Sequence, residues 1–133
     1  MSTPRAAPSM LLCLVVLALV DVHARVRGLR ATLRLARRVG ARPAGVEDRG
    51  LVAETARRVS TAAAFYPRRA RCLEQSLALY MLLRRRGVAA EIRLGANARP
   101  FYAHAWVEVD GEPVAEQGDL PLNLTVFPAL EVH

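Results

Sequence analysis

Residues 71–116 read RCLEQSLALYMLLRRRGVAAEIRLGANARPFYAHAWVEVDGEPVAE, and the change of period inside this stretch decides the fold. From Cys72 to Arg86 the chain is apolar around most of a helical circumference, with Leu73, Leu77, Leu79, Tyr80, Met81, Leu82 and Leu83. This predicts a central, largely buried helix. Arg84 to Arg86 suit its negative C-terminal end, and Gly87 suits the position just past it. Beyond Gly87 the period drops to two. Ala90, Ile92 and Leu94 alternate with Glu91 and Arg93, and Tyr102 to Val109 alternates again. On that second strand His104, Trp106 and Glu108 share one face, and Ala103, Ala105, Val107 and Val109 the other. Asn97 to Pro100 reads as the loop between the strands. Asp110-Gly111 signals a hairpin, with Pro113 to Glu116 as the return strand.

The order Cys72, His104, Glu116 sets a thiol, an imidazole and a carboxylate in the sequence that a cysteine-nucleophile enzyme presents them. Cys72 stands where the central helix begins, behind Arg68, Arg69 and Arg71. Free N–H groups, the positive dipole end and nearby guanidinium groups all favour a thiolate there. The plainer reading of a cysteine in an apolar chain is a packed, inert one. Hairpin register decides the face of Glu116. A two-residue loop, Asp110-Gly111, puts Glu116 opposite Ala105 and away from the imidazole. A three-residue loop ending at Glu112 pairs Val109 with Pro113 and brings Glu116 to the face of His104. Only the second register lets Glu116 orient the imidazole, and it is the one we expect, with a glycine bulge at Gly111. Arg71, Phe101 and Trp106 are the candidate substrate- or partner-binding residues.

Working outward, Met10 to Val20 is an unbroken apolar run, too short to span a bilayer, where about 20 residues are needed. It reads as a buried first helix with Cys13 as a small packed hydrophobe, or as a secretory signal with Val22-His23-Ala24 at the cleavage site. The helical pattern continues through that point. Val22, Val26, Leu29, Leu33 and Ala36 keep helical spacing beside Arg27, Arg30, Arg34, Arg37 and Arg38, which predicts an amphipathic basic helix ending near Gly40. Such a face can rest in water, lie on a membrane or grip an acidic partner. A third helix is expected from about Glu47-Asp48 to Pro67, with Leu51, Val52, Thr55, Ala56, Val59, Ala62 and Ala63 as its packing stripe. The loop Pro67–Arg71 then delivers the chain to Cys72.

The expected architecture is α+β: N-terminal helices and a central buried helix packed on a small antiparallel sheet. We read residues 1–133 as one domain, 1–65 helical and 66–133 carrying the central helix and sheet, large enough to need no disulfide. With only two cysteines among 133 residues, a reducing, cytoplasmic setting is the simpler assumption. All 19 basic residues are arginine and lie at or before Arg99, so the first 99 residues carry +13 and the rest −6. That field attracts nucleic acid, anionic lipid or acidic polypeptide without choosing among them. His23 and His133 have no companions at ligand spacing, which argues against zinc. No glycine-rich phosphate loop is present, and no G-x-S-x-G surrounds Ser76.

Two motifs together resemble a known family: C-L-E-x-S-L-A-L-x-x-L-L-R-R-R-G at Cys72 to Gly87, and P-F-x-A-H-A-W-V-E-V-D-G at Pro100 to Gly111. They are similar to the lasso-peptide leader peptidases, small transglutaminase-like, papain-like cysteine proteases of bacterial ribosomal-peptide biosynthesis. The resemblance covers roughly residues 66–120. It implies Cys72 as nucleophile, His104 as general base and Glu116 at the third position, where many members carry Asp. It further implies hydrolysis of the leader from a precursor peptide with no metal, nucleotide or other cofactor, and no nucleic-acid partner. The implied partners are the precursor, a separate small leader-binding recognition protein and the ATP-dependent lasso cyclase. Two rival readings are a transglutaminase-like acyl transferase and a non-enzymatic basic module for nucleic acid or anionic membrane.

Overall fold

Ser9 accepts a hydrogen bond from the Leu12 N–H at 3.1 Å, and Asp48 from the Leu51 N–H at 2.9 Å. Each side chain satisfies an amide that has no partner inside its helix. These caps open α1 (Met10–Arg27) and α3 (Arg49–Phe65). The computed structural model describes residues 6–41, 45–66, 72–98, 101–114 and 125–126. Between the capped helices lies α2 (Leu29–Val39), and α4 is Cys72–Arg85. The strands are β1 (Ala90–Ala98), β2 (Phe101–Val109), β3 (Glu112–Pro113) and β4 (Thr125–Val126).

One expected helix is two. The apolar spacing from Val22 to Ala36 runs through Gly28, but Gly28 adopts φ +87° and ψ 169°, and the helix breaks there. A side chain resists that conformation and glycine does not. Thr32 Oγ1 donates to the Gly28 carbonyl at 2.8 Å, so its proton is spent. The His23 Nδ1 lying 2.9 Å from the same oxygen therefore acts as donor, pinning the corner between α1 and α2.

The end of α3 follows the sequence. Tyr66 is extended at φ −69° and ψ 133°, as the residue before a proline should be. Its stripe of Leu51, Thr55, Ala56, Val59 and Ala62 is buried as expected. The end of α4 is a Schellman closure: Val88 N–H reaches the Leu83 carbonyl, Gly87 N–H reaches the Arg84 carbonyl, and Gly87 takes φ +87°. Leu83 and Val88 both enter the main core with Cys13 and Leu17 of α1, Val59 and Ala62 of α3, Leu79 of α4 and Val107 of β2. A smaller cluster joins Val20, Leu33, Ala36 and Leu77. The class is thus α+β, with helices packed on an antiparallel sheet of order β3-β2-β1-β4.

Two details of the sheet depart from expectation. β1 runs on to Ala98, with Asn97 opposite Tyr102 and Ala98 opposite Phe101, so those residues belong to the ladder and not to a loop. The second departure is the β2–β3 register: Glu108 pairs Pro113 and Val109 pairs Glu112, which makes a two-residue turn of Asp110-Gly111. Both turn residues have positive φ, 55° and 77°. That is the type I′ geometry, whose twist matches the flanking strands, and it prevails over the three-residue bulged loop.

Candidate active site

Cys72 is the first residue of α4, the helix whose Leu77, Ala78, Leu79 and Leu83 are all but fully buried. Position at a helix start offers unpaired N–H groups and the positive end of the dipole. His104 lies within β2, opposite Gly95 of β1. One contact links the two elements close to both residues. The buried Ser76 hydroxyl donates to the Ala105 carbonyl at 3.1 Å. Ser76 is about one helical turn past Cys72, roughly 6 Å along the axis, and Ala105 adjoins His104. The backbone at the head of α4 and the backbone of the histidine-bearing part of β2 are therefore neighbours.

Trp106 is only 3% exposed. Its indole N–H donates to Glu108 Oε2 at 2.8 Å, while Arg93 Nε donates to Glu108 Oε1 at 3.3 Å and Arg93 also pairs with Glu91 at 2.7 Å. Arg93 and Trp106 are partners across the ladder, as are Glu91 and Glu108. The strand alternation already placed Trp106 and Glu108 together, but it gave no sign of the chain of bonds that joins them to β1. Nor did the sequence single out Ser76 as a link, or the bond from Tyr66 Oη to Asp21 Oδ2 at 2.8 Å. Asp21 is buried and also meets Arg25 at 3.4 Å, so the end of α3 is held against α1 just where the chain departs toward α4.

The sequence-derived site residues fall as follows. Cys72 heads α4, His104 and Trp106 lie on β2, and Phe101 is the first residue of β2, opposite Ala98. Arg71, the Pro67–Arg71 loop and Glu116 lie outside the described residues. The register expected to bring Glu116 to the His104 face is not the one that forms, so that geometric argument for Glu116 lapses. The other cysteine, Cys13, is fully buried among α1, α3 and α4, and desolvation pushes its thiol above the ordinary value despite the opposing pull of Arg86 and Arg58. Among the described residues no group of three or more His, Cys, Asp or Glu side chains could hold a metal ion.

A helix opening on cysteine, packed on an antiparallel strand that carries histidine, is the arrangement of a transglutaminase-like core. The chain belongs to the transglutaminase-like superfamily, whose family model matches residues 13–128. It is also similar to the microcin J25-processing protein McjB of Escherichia coli, 36% identical over 56 residues. That match covers 42% of this chain and only 27% of the relative's length. No solved structure matches. The transglutaminase-like part of the resemblance drawn from Cys72–Gly87 and Pro100–Gly111 is borne out.

Proposed function

We propose that this chain is a cysteine peptidase that removes the leader from a ribosomally made lasso-peptide precursor. The carrying observation is the Ser76–Ala105 hydrogen bond, which sets the start of the Cys72 helix beside the His104 strand. Superfamily membership and similarity to a protein named for processing microcin J25 support the same reading. In this mechanism the Cys72 thiol gives its proton to His104 and the sulfur attacks the carbonyl carbon joining leader to core, with N–H groups at the head of α4 receiving the oxyanion. His104 gives its proton to the departing core amine as the C–N bond breaks. It then takes a proton from water, which attacks the thioester and frees the leader carboxylate. Glu116 is assigned to orient His104 on the family resemblance alone. Trp106, being buried, acts by holding β2 in place, while Arg71 and Phe101 are assigned to peptide contact.

A separate leader-binding protein presents the precursor, and the ATP-dependent cyclase takes up the core. The test is mass spectrometry of precursor incubated with the chain and the leader-binding protein. Wild type releases leader and core, whereas Cys72→Ala and His104→Ala release neither while keeping the wild-type circular dichroism spectrum. Cleavage that survives Cys72→Ala overturns the assignment. Products carrying an added amine in place of water make the chain an acyl transferase.

A further inference from the structure

The side chains of α1 divide by helical period into two faces. Cys13, Leu17 and Val20 are buried, while Leu11, Val15, Leu19, Val22 and Val26 recur on the outer side, and Leu29, the first residue of α2, is exposed as well. This outer line is no marginal exposure: Leu11 is 71%, Leu19 62% and Val26 72% exposed. At 1.5 Å per residue the line from Leu11 to Val26 makes an aliphatic ridge about 22 Å long. Apolar residues scattered singly are ordinary surface, but a continuous ridge marks a contact.

The charge beside the ridge has one sign. Arg27, Arg30, Arg34, Arg37 and Arg38 are exposed, and among the described residues none of them makes an ion pair. The one carboxylate on these two helices, Asp21, is buried and already bonded to Tyr66 and Arg25. No helix among the described residues is long and apolar enough to cross a membrane. The aliphatic ridge of α1, followed in the chain by the exposed arginines of α2, suits the plane of a bilayer interface, the ridge among the acyl chains and the cations against headgroup phosphate.

We propose that the α1–α2 face docks this protein peripherally on an anionic lipid surface. The complementarity is one of charge and shape. A second copy of the chain would bring arginine to arginine, since the ridge has no carboxylate to offer. The ridge from Leu11 to Val26 is aliphatic throughout, and a lipid surface asks no polar group of it to fix a register. Because the arginines meet phosphate in water, binding weakens as salt rises.

The experiment is co-sedimentation of the full chain with vesicles of phosphatidylcholine alone or mixed equally with phosphatidylglycerol. The chain is expected to pellet with the mixed vesicles, to release at high salt and to remain free of phosphatidylcholine. The Leu19→Ser/Val26→Ser variant should bind about tenfold or more weakly, as each buried methylene adds to the partition. Arg30→Glu/Arg34→Glu should lose the preference for phosphatidylglycerol. All four side chains are exposed, so both variants should keep the wild-type circular dichroism and cleave precursor in solution as before. Equal binding to both vesicle types, or full binding by the serine variant, overturns the proposal. So does failure to pellet with anionic vesicles; binding to soluble polyglutamate in that case would assign the face to an acidic protein.

Discussion

Cys13 and Cys72 carry one functional group in two surroundings. Cys13 is enclosed by the helices, and burial raises its ionisation above the ordinary thiol value, so at neutral pH it is protonated and shielded. Cys72 opens α4, a position whose dipole and free amides would favour a thiolate, as the proposed mechanism requires. Native protein treated with iodoacetamide should therefore be modified at Cys72 alone, and protein in denaturant at both, as read by peptide mass mapping. Equal native labelling would deny Cys72 its special environment. The helix start at Cys72 was readable in the sequence, because it shows as a change of pattern. For Cys13 the reading was open, since an apolar run serves equally as a signal segment and as a core helix; packing against Val59, Ala62 and Leu79 marks it as core.

Among elements, α4 and β2 matter most, and the Ser76 side chain helps to fasten one to the other. Ser76 is fully buried and its hydroxyl donates to Ala105. Ser76→Ala leaves that carbonyl without this donor in a dry place, at a cost of about 1–3 kcal/mol. Urea denaturation should show the loss, and precursor cleavage should slow as the head of α4 loosens against β2. Lower stability with cleavage unchanged would separate this bond from the site. Helix ends were legible because caps and prolines act locally: Asp48, Gly87 and the residue before Pro67 each behave as their chemistry dictates. The hairpin was not. Asp110-Gly111 fits both a two-residue turn and the start of a longer loop, and the choice depends on strand twist, which no local pattern records. The break at Gly28 was missed for the opposite reason, since the periodicity around it was strong enough to hide one glycine.

At the scale of the molecule, the N-terminal helices are part of the core and not an appendage. Leu17 and Val20 are 1% and 2% exposed, packed in the clusters that also hold α2, α3 and α4. Burying two such side chains contributes about 3–6 kcal/mol, a large share of the roughly 5–15 kcal/mol that keeps a domain folded. A chain beginning at Gly28 should lose its cooperative thermal transition by circular dichroism; a sharp transition retained would show that α1 is dispensable. The sequence announced these helices but not which side of α1 would be spent on the interior. That follows from where α3 and α4 come to rest, and it leaves the Leu11–Val26 ridge outward.

The only tryptophan of the chain is the shielded Trp106, two residues from His104 and bonded to Glu108. Its ultraviolet emission consequently speaks for one strand without competition from any other indole. The light it gives off would turn redder when that strand opens to water, so the integrity of the ground beneath the histidine can be watched in an unlabelled sample.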